Sequence, residues 1–138
     1  MAIHFFTEDI SFALDEEDKT EAWINQVLQK EGYKADNINY IFCSDSHLLT
    51  MNQQYLNHHT LTDIITFDHS EQKGNIEADI FISIDRVKEN AQSLKKAFTD
   101  ELHRVIIHGL LHLFGLKDKT KGEKQEMREK EDACLSLR

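Results

Sequence analysis

The stretch "HGLLHLFGLKDKT", residues 108–120, sets His108 and His112 four positions apart in an apolar run, followed by a glycine and a charged segment. On a helix, residues four apart lie one turn above each other, so both imidazoles project from one face, close enough to hold a single ion. A third ligand has to return toward that ion from another direction, and Gly115 supplies a place for the chain to reverse. Asp118 is the nearest candidate beyond it, which makes the pattern H-x3-H-x5-D. Two imidazole nitrogens and one carboxylate oxygen leave a fourth tetrahedral position open, the arrangement in which zinc lowers the pKa of water toward ~7. The competing reading is an ordinary histidine pair with no ion. The neighbours Val105, Ile106, Leu110, Leu111, Leu113 and Phe114 make this helix apolar nearly all round. It is therefore expected to be central, where unpaired imidazoles are costly and a metal would satisfy them.

Zincin peptidases also carry two histidines on a helix, but they place a glutamate directly after the first as general base. Here that position is Gly109. A glycine inside a helix costs roughly 0.5 to 1 kcal/mol against alanine, so Gly109 has either a packing reason or keeps space open beside the ion. It moves no protons. A small metallopeptidase is thus the weaker reading, whereas phosphodiester cleavage leans more on the metal itself and tilts the balance toward a nuclease.

The scaffold around these residues is readable upstream and downstream of them. "IHFFTED" is suited to a strand, and "KTEAWINQVLQKEG" places Ala22, Trp23, Val27 and Leu28 at helical spacing before Gly32. "NINYIFC" is rich in strand formers, while "SDSHLLTMNQQYLN" opens with cap candidates and carries Leu48, Met51 and Tyr55 along one face. "TDIITF" and "ADIFISI" predict two strands, separated by a polar, glycine-containing segment compatible with a hairpin loop or a broader connection. "DRVKENAQSL" predicts a short helix, and "TDELHRVIIHGLLHLFG" a longer one with Thr99 as its cap, acidic residues in its first turn and Gly115 at its end. "GEKQEMREKEDACLSL" predicts a final surface helix whose thin inner stripe is Met127, Glu131, Cys134 and Leu135. The order gives an α+β fold, a small mixed β-sheet packed with helices, one of which is the zincin-like metal-site helix.

Composition narrows the function classes. A chain of 138 residues with 40% hydrophobic content is large enough for one core; it has no proline, five glycines and no repeat or linker at which to divide it. We expect a single domain over residues 1–138. A formal charge of -9 argues against coating nucleic acid or an anionic membrane by bulk electrostatics, so any polyanion must be met locally. Cys43 and Cys134 lack the spacing of a disulfide framework or zinc knuckle, which predicts reduced thiols. The N-terminus "MAIHFFTEDISFAL" is acidic where a signal peptide is basic, and no segment approaches the length of a membrane span. The expected location is cytoplasmic, with no membrane partner.

The motif "HGLLHLFGLKDKT" resembles the H-G-x-L-H-L-x-G motif of the YbeY family of bacterial rRNA maturation factors. The likeness extends upstream: "MNQQYLNHHTLTDIITFDHSE" resembles the family's segment ending in a TDVLSFP-like strand, and "EADIFISID" its GDI-x-IS strand. The resemblance implies a metal-dependent, single-strand-specific endoribonuclease that acts in 16S rRNA 3′-end maturation and ribosome quality control. It also implies one zinc ion per chain, and single-stranded RNA, rRNA precursor and ribosomal particles as partners. Two positions depart from the family pattern. The third ligand is usually a histidine where this chain has Asp118, a competent zinc ligand that adds negative charge and favours tolerance of manganese and other harder divalent ions. An arginine usually found before the TDVLSFP-like strand aligns with Leu56, which removes a cation that would contact RNA. The reading from a different class is a ribosome-associated binding protein in which the metal only pins the C-terminal loop.

Other residues offer weaker signals. Lys117, Lys119, Lys121 and Lys124 follow the proposed ligands closely and would form either a cationic rim for phosphates or a solvated loop. His58 and His59 are adjacent, point apart on regular structure and read as a polar loop. Glu101, seven before His108 on the same helical face, would either orient a histidine or favour the helix N-terminus. No general base is assigned by the pattern.

Overall fold

The computed structural model describes residues 2–55 and 62–138. Four strands, β1 (Ile3–Thr7), β2 (Lys34–Cys43), β3 (Ile64–Asp68) and β4 (Asn75–Ser83), form one sheet in the order β1-β2-β4-β3. β1, β2 and β4 run parallel, and β3 is antiparallel to β4, so the sheet is mixed and the predicted pair is a hairpin. Five helices complete the fold: α1 (Glu17–Lys30), α2 (Asp45–Tyr55), α3 (Ile84–Leu94), α4 (Phe98–Leu113) and α5 (Lys121–Leu135). The parallel strands require crossovers, and α1 and α2 lie in those connections.

β4 shows why the sequence makes a strand here. In "NIEADIFIS" every second residue is apolar, and Ile76, Ala78, Ile80 and Ile82 are buried on one face while Glu77, Asp79 and Phe81 are only half-buried on the other. The buried face joins Ile38, Tyr40 and Phe42 of β2 and packs against α1, α4 and α5. Two buried polar groups tie the layers across this core. The Tyr40 hydroxyl donates to the Ile106 carbonyl at 3.2 Å, and the Trp23 indole donates to the Cys134 carbonyl at 2.9 Å. A smaller cluster of Cys43, Leu48 and Ile65 lies apart from this core, with Met51 and Phe67 packed against it. Cys43 and Cys134 are both free and buried, and burial followed by nearby carboxylates pushes the Cys43 thiol up to about 12.

α4 is the central helix. Leu102, Val105, Ile106, Ile107, Leu110 and Leu111 are buried around most of its circumference. It starts earlier than its sequence signals: the N-cap is Ala97, without a side-chain cap, so Thr99 is the second helical residue and not the cap. The ring of Phe98, packed edge-on against Phe12 at 6.1 Å between centroids, draws the first turn forward onto the core. Gly109 has a packing reason. A Cβ built there would sit 2.7 Å from Ile64 Cδ1 and 3.2 Å from Ile80 Cγ2, so the glycine lets α4 lie directly against β3 and β4. A glutamate at this position would collide with the sheet rather than face an ion.

Beyond α4, Gly115 adopts φ 100, a left-handed conformation that L side chains rarely accept, and reverses the chain. Thr120 then caps α5 in a reciprocal capping box. Its hydroxyl accepts from the Glu123 backbone N–H at 3.1 Å, while Glu123 Oε1 accepts from the backbone N–H groups of Thr120 and Lys119. The loop carrying Asp118 is thereby pinned at both ends.

Candidate metal centre

His108 and His112 stand one turn apart on α4, and the loop between Gly115 and Thr120 brings Asp118 back to them. His108 Nε2 and His112 Nε2 are 3.0 Å apart, and Asp118 Oδ2 is 3.3 Å from each. The opposite ring nitrogens are both engaged. His112 Nδ1 lies 3.0 Å from the Leu116 carbonyl, and His108 Nδ1 lies 2.6 Å from Glu131 Oε2. A carbonyl only accepts, and an ionised carboxylate only accepts, so each ring carries its proton on Nδ1 and turns the Nε2 lone pair inward. Three lone pairs then converge with no donor among them, which is the signature of a cation site. A tetrahedral ion with bonds of about 2.0–2.1 Å separates its ligand atoms by about 3.3–3.4 Å, close to the triangle observed. Among the described residues, these three form the one group of three or more that could hold a metal. Their side chains are 23%, 32% and 39% exposed, so the fourth direction opens outward and is not sealed in the core.

Glu131 is the residue that orients His108, and it comes from α5. Arg104 holds it from the other side, donating to Glu131 Oε1 at 2.8 Å and to Asp132 at 2.6 Å. Burial acts to raise the Glu131 carboxyl, but the hydrogen bonds from His108 and Arg104 outweigh it and leave the pKa lowered. Burial likewise disfavours charge on His108, and Glu131 more than offsets this, so that ring is held above its ordinary pKa. Glu101 does not perform this task. Seven residues along a helix span about 10 Å, beyond hydrogen-bond reach, so only a crossing helix delivers a carboxylate to Nδ1. Glu101 instead lines a cavity of about 390 Å³ beside the triad, together with Asp63, Lys124 and Arg128.

That cavity corrects the expected lysine rim. Of the four lysines only Lys124 lines it, joined by Arg128, which no sequence pattern singles out. Lys117, Lys119 and Lys121 are exposed elsewhere on the loop and at the start of α5. Leu56, His58 and His59 lie outside the described residues. The signal that would have found Glu131 was present: a carboxylate set between Met127 and Cys134 in an otherwise apolar stripe needs a partner when buried.

Fold and site together define an α+β protein whose central helix presents an H-x3-H pair to a carboxylate on the following loop. The sequence model described as endoribonuclease YbeY matches residues 3–137. Curated relatives of that name include one from Cytophaga hutchinsonii, 58% identical over 136 residues, covering 99% of this chain and 95% of the relative. Another, from Amoebophilus asiaticus, is 48% identical over 96% of this chain and 90% of its own length. A third, from Bacteroides thetaiotaomicron, is 44% identical with both chains covered in full. The solution structure of TM1509 from Thermotoga maritima superposes with a TM-score of 0.66 at 26% identity, covering 98% of this chain and 87% of that one. The chain belongs to the endoribonuclease YbeY family. No helix among the described residues is long and apolar enough to cross a membrane.

Proposed function

We propose that this chain, as one domain over residues 1–138, is a metal-dependent endoribonuclease that cuts single-stranded RNA in 16S rRNA 3′-end maturation and ribosome quality control. Ribosomal particles and rRNA precursors are its partners, in the cytoplasm. His108, His112 and Asp118 hold one zinc ion per chain, and the carboxylate widens tolerance to other divalent ions. The observation that carries the reading is the convergence of two Nε2 lone pairs and one carboxylate oxygen at 3.0–3.3 Å, with both rings fixed from behind.

An ion in that triangle supplies Lewis acidity, for water activation and for charge on a phosphoryl oxygen. The chain's residues prepare this. Glu131 and the Leu116 carbonyl fix the ring tautomers, so no rotation or proton shift is needed before the ligands bind. Partial exposure of all three ligands leaves room for a strand to approach. Lys124 and Arg128 place positive charge beside the site, where a chain of net charge -9 must meet RNA locally. Gly109 leaves no glutamate next to His108, and a Cβ there would press on Ile64 Cδ1 at 2.7 Å, which disfavours peptide hydrolysis.

The test is cleavage of a labelled single-stranded RNA by zinc-loaded protein, by chelated protein and by chelated protein resupplied with zinc. The reading expects cutting, loss and recovery, with duplex RNA and casein left intact. A fully loaded protein that cuts no RNA but copurifies with ribosomal particles would establish the binding-protein alternative instead.

A further inference from the structure

The cavity beside the metal ligands has an acidic floor and a cationic rim. Lys124 and Arg128 at its edge are exposed, Val105 and Met127 are buried, apolar walls, and Asp63 and Glu101 supply carboxyls. Glu101 is only 6% exposed, and its Oε1 has no hydrogen-bond partner. A buried, unpaired acceptor is costly, and it is relieved by a donor. Arg104 lines the same cavity, but its two hydrogen bonds go to Glu131 and Asp132 and none reaches Glu101 Oε1. Burial raises the Glu101 carboxyl and the nearby Asp63 charge adds to this, while burial raises Asp63 as well. An N–H donor reaching either carboxylate would offset that desolvation.

We propose that this cavity is the subsite for the nucleobase next to the scissile phosphate, and that Asp63 and Glu101 select a base presenting N–H donors, guanine foremost, over uracil. The proposal rests on the ribonuclease reading above. His108 and Asp118 line the same cavity, so a phosphate held at the triad brings its neighbouring base to the opening. Lys124 and Arg128 meet the backbone, which positions the strand without reading it. Val105 and Met127 face the ring of an unstacked base, the form in which single-stranded RNA exposes its Watson–Crick edge. Guanine offers a carboxylate two adjacent donors, at N1 and N2. Cytosine and adenine offer one amino group. Uracil offers a single N–H between two carbonyl oxygens, which repel the carboxylates.

Two experiments test this. In the first, zinc-loaded protein cuts a randomised single-stranded RNA and the product ends are sequenced. One position flanking the cut should carry guanine over uracil by at least fivefold. Glu101→Gln, which keeps the side chain's size but trades an acceptor for an amide donor, should cut that ratio at least fivefold, and Asp63→Asn should move it the same way. Equal use of guanine and uracil at every flanking position, or a ratio unchanged in both variants, overturns the proposal. Should Glu101→Gln unfold, Asp63→Asn at its half-buried position carries the same comparison. The second experiment is calorimetric binding of guanosine and uridine 5′-monophosphates to zinc-loaded protein. Their phosphates contact the ion equally, so a guanosine preference of at least fivefold, lost in the variants, reports the base. If the parent cuts no RNA the ribonuclease reading falls, and this binding ratio still decides the pocket, with equal affinities overturning it.

Discussion

The two histidines of α4 are held from behind by different means. His108 leans on Glu131, a buried carboxylate delivered by α5 and itself clamped by Arg104. His112 leans on the Leu116 carbonyl, a main-chain group delivered by the turn at Gly115. The first support depends on side-chain chemistry and long-range packing between helices. The second depends on local backbone conformation. A charged partner raises the donor strength of the ring it holds, whereas a carbonyl mainly fixes orientation, so the two supports should fail in different ways when altered.

The largest effect should come from the proposed ligands themselves. His108→Ala or His112→Ala should reduce bound divalent ion from one per chain to near zero by mass-spectrometric metal analysis, and RNA cleavage with it. Removing the ion from the parent should also lower stability. At a free-metal concentration of 100 times Kd the linked contribution is about 2.7 kcal/mol, which chelation would abolish as a fall in Tm.

Next comes the charged support. Glu131→Gln keeps the shape, but one amide oxygen must serve either Arg104 or His108, and loss of such an outer partner typically weakens metal affinity roughly 10–100-fold. Competition with a chromogenic chelator would measure it. An unchanged Kd would mean that the two supports are equivalent and that α5 contributes only packing.

The backbone support should be gentler on the metal. Gly115→Ala places a Cβ on a residue at φ 100, although nothing lies within 4 Å of it. The strain of such a conformation is on the order of 1–3 kcal/mol, read in a denaturant melt, with metal affinity falling less than in Glu131→Gln. A larger loss of affinity than of stability would show that the Leu116 carbonyl is as influential as Glu131.

Smallest at the metal, and confined to the fold, is Gly109→Ala. Its Cβ meets Ile64 Cδ1 at 2.7 Å, so the core must shift at a cost of roughly 1–3 kcal/mol. One ion per chain should remain bound. Loss of the ion would place position 109 in the site after all.

What the sequence made legible follows the same division between local and long-range. The H-x3-H pair on one helix, the strands β3 and β4, and the turn at Gly115 are all encoded within a few residues, and each forms where expected. The Thr120 to Glu123 capping box was equally local and would have marked the start of α5. Glu131 was different. It lies 23 residues from His108, and only the packing of α5 across α4 brings its carboxylate to the ring. Asp63 reaches the cavity through sheet topology, from the segment just before β3, and no periodicity links it to Glu101. Thr99 failed as a cap because Phe98 buries against Phe12, a tertiary contact that overrides a local preference.

The assignment of His108, His112 and Asp118 as ligands is read directly by X-ray absorption on zinc-loaded protein. It predicts two imidazole nitrogens and a carboxylate oxygen at about 2.0–2.2 Å, with multiple scattering from two rings, rising to three rings in Asp118→His. Fewer than two imidazoles in the parent, a sulfur shell near ~2.3 Å, or no third ring in Asp118→His would contradict the assignment of His108, His112 and Asp118.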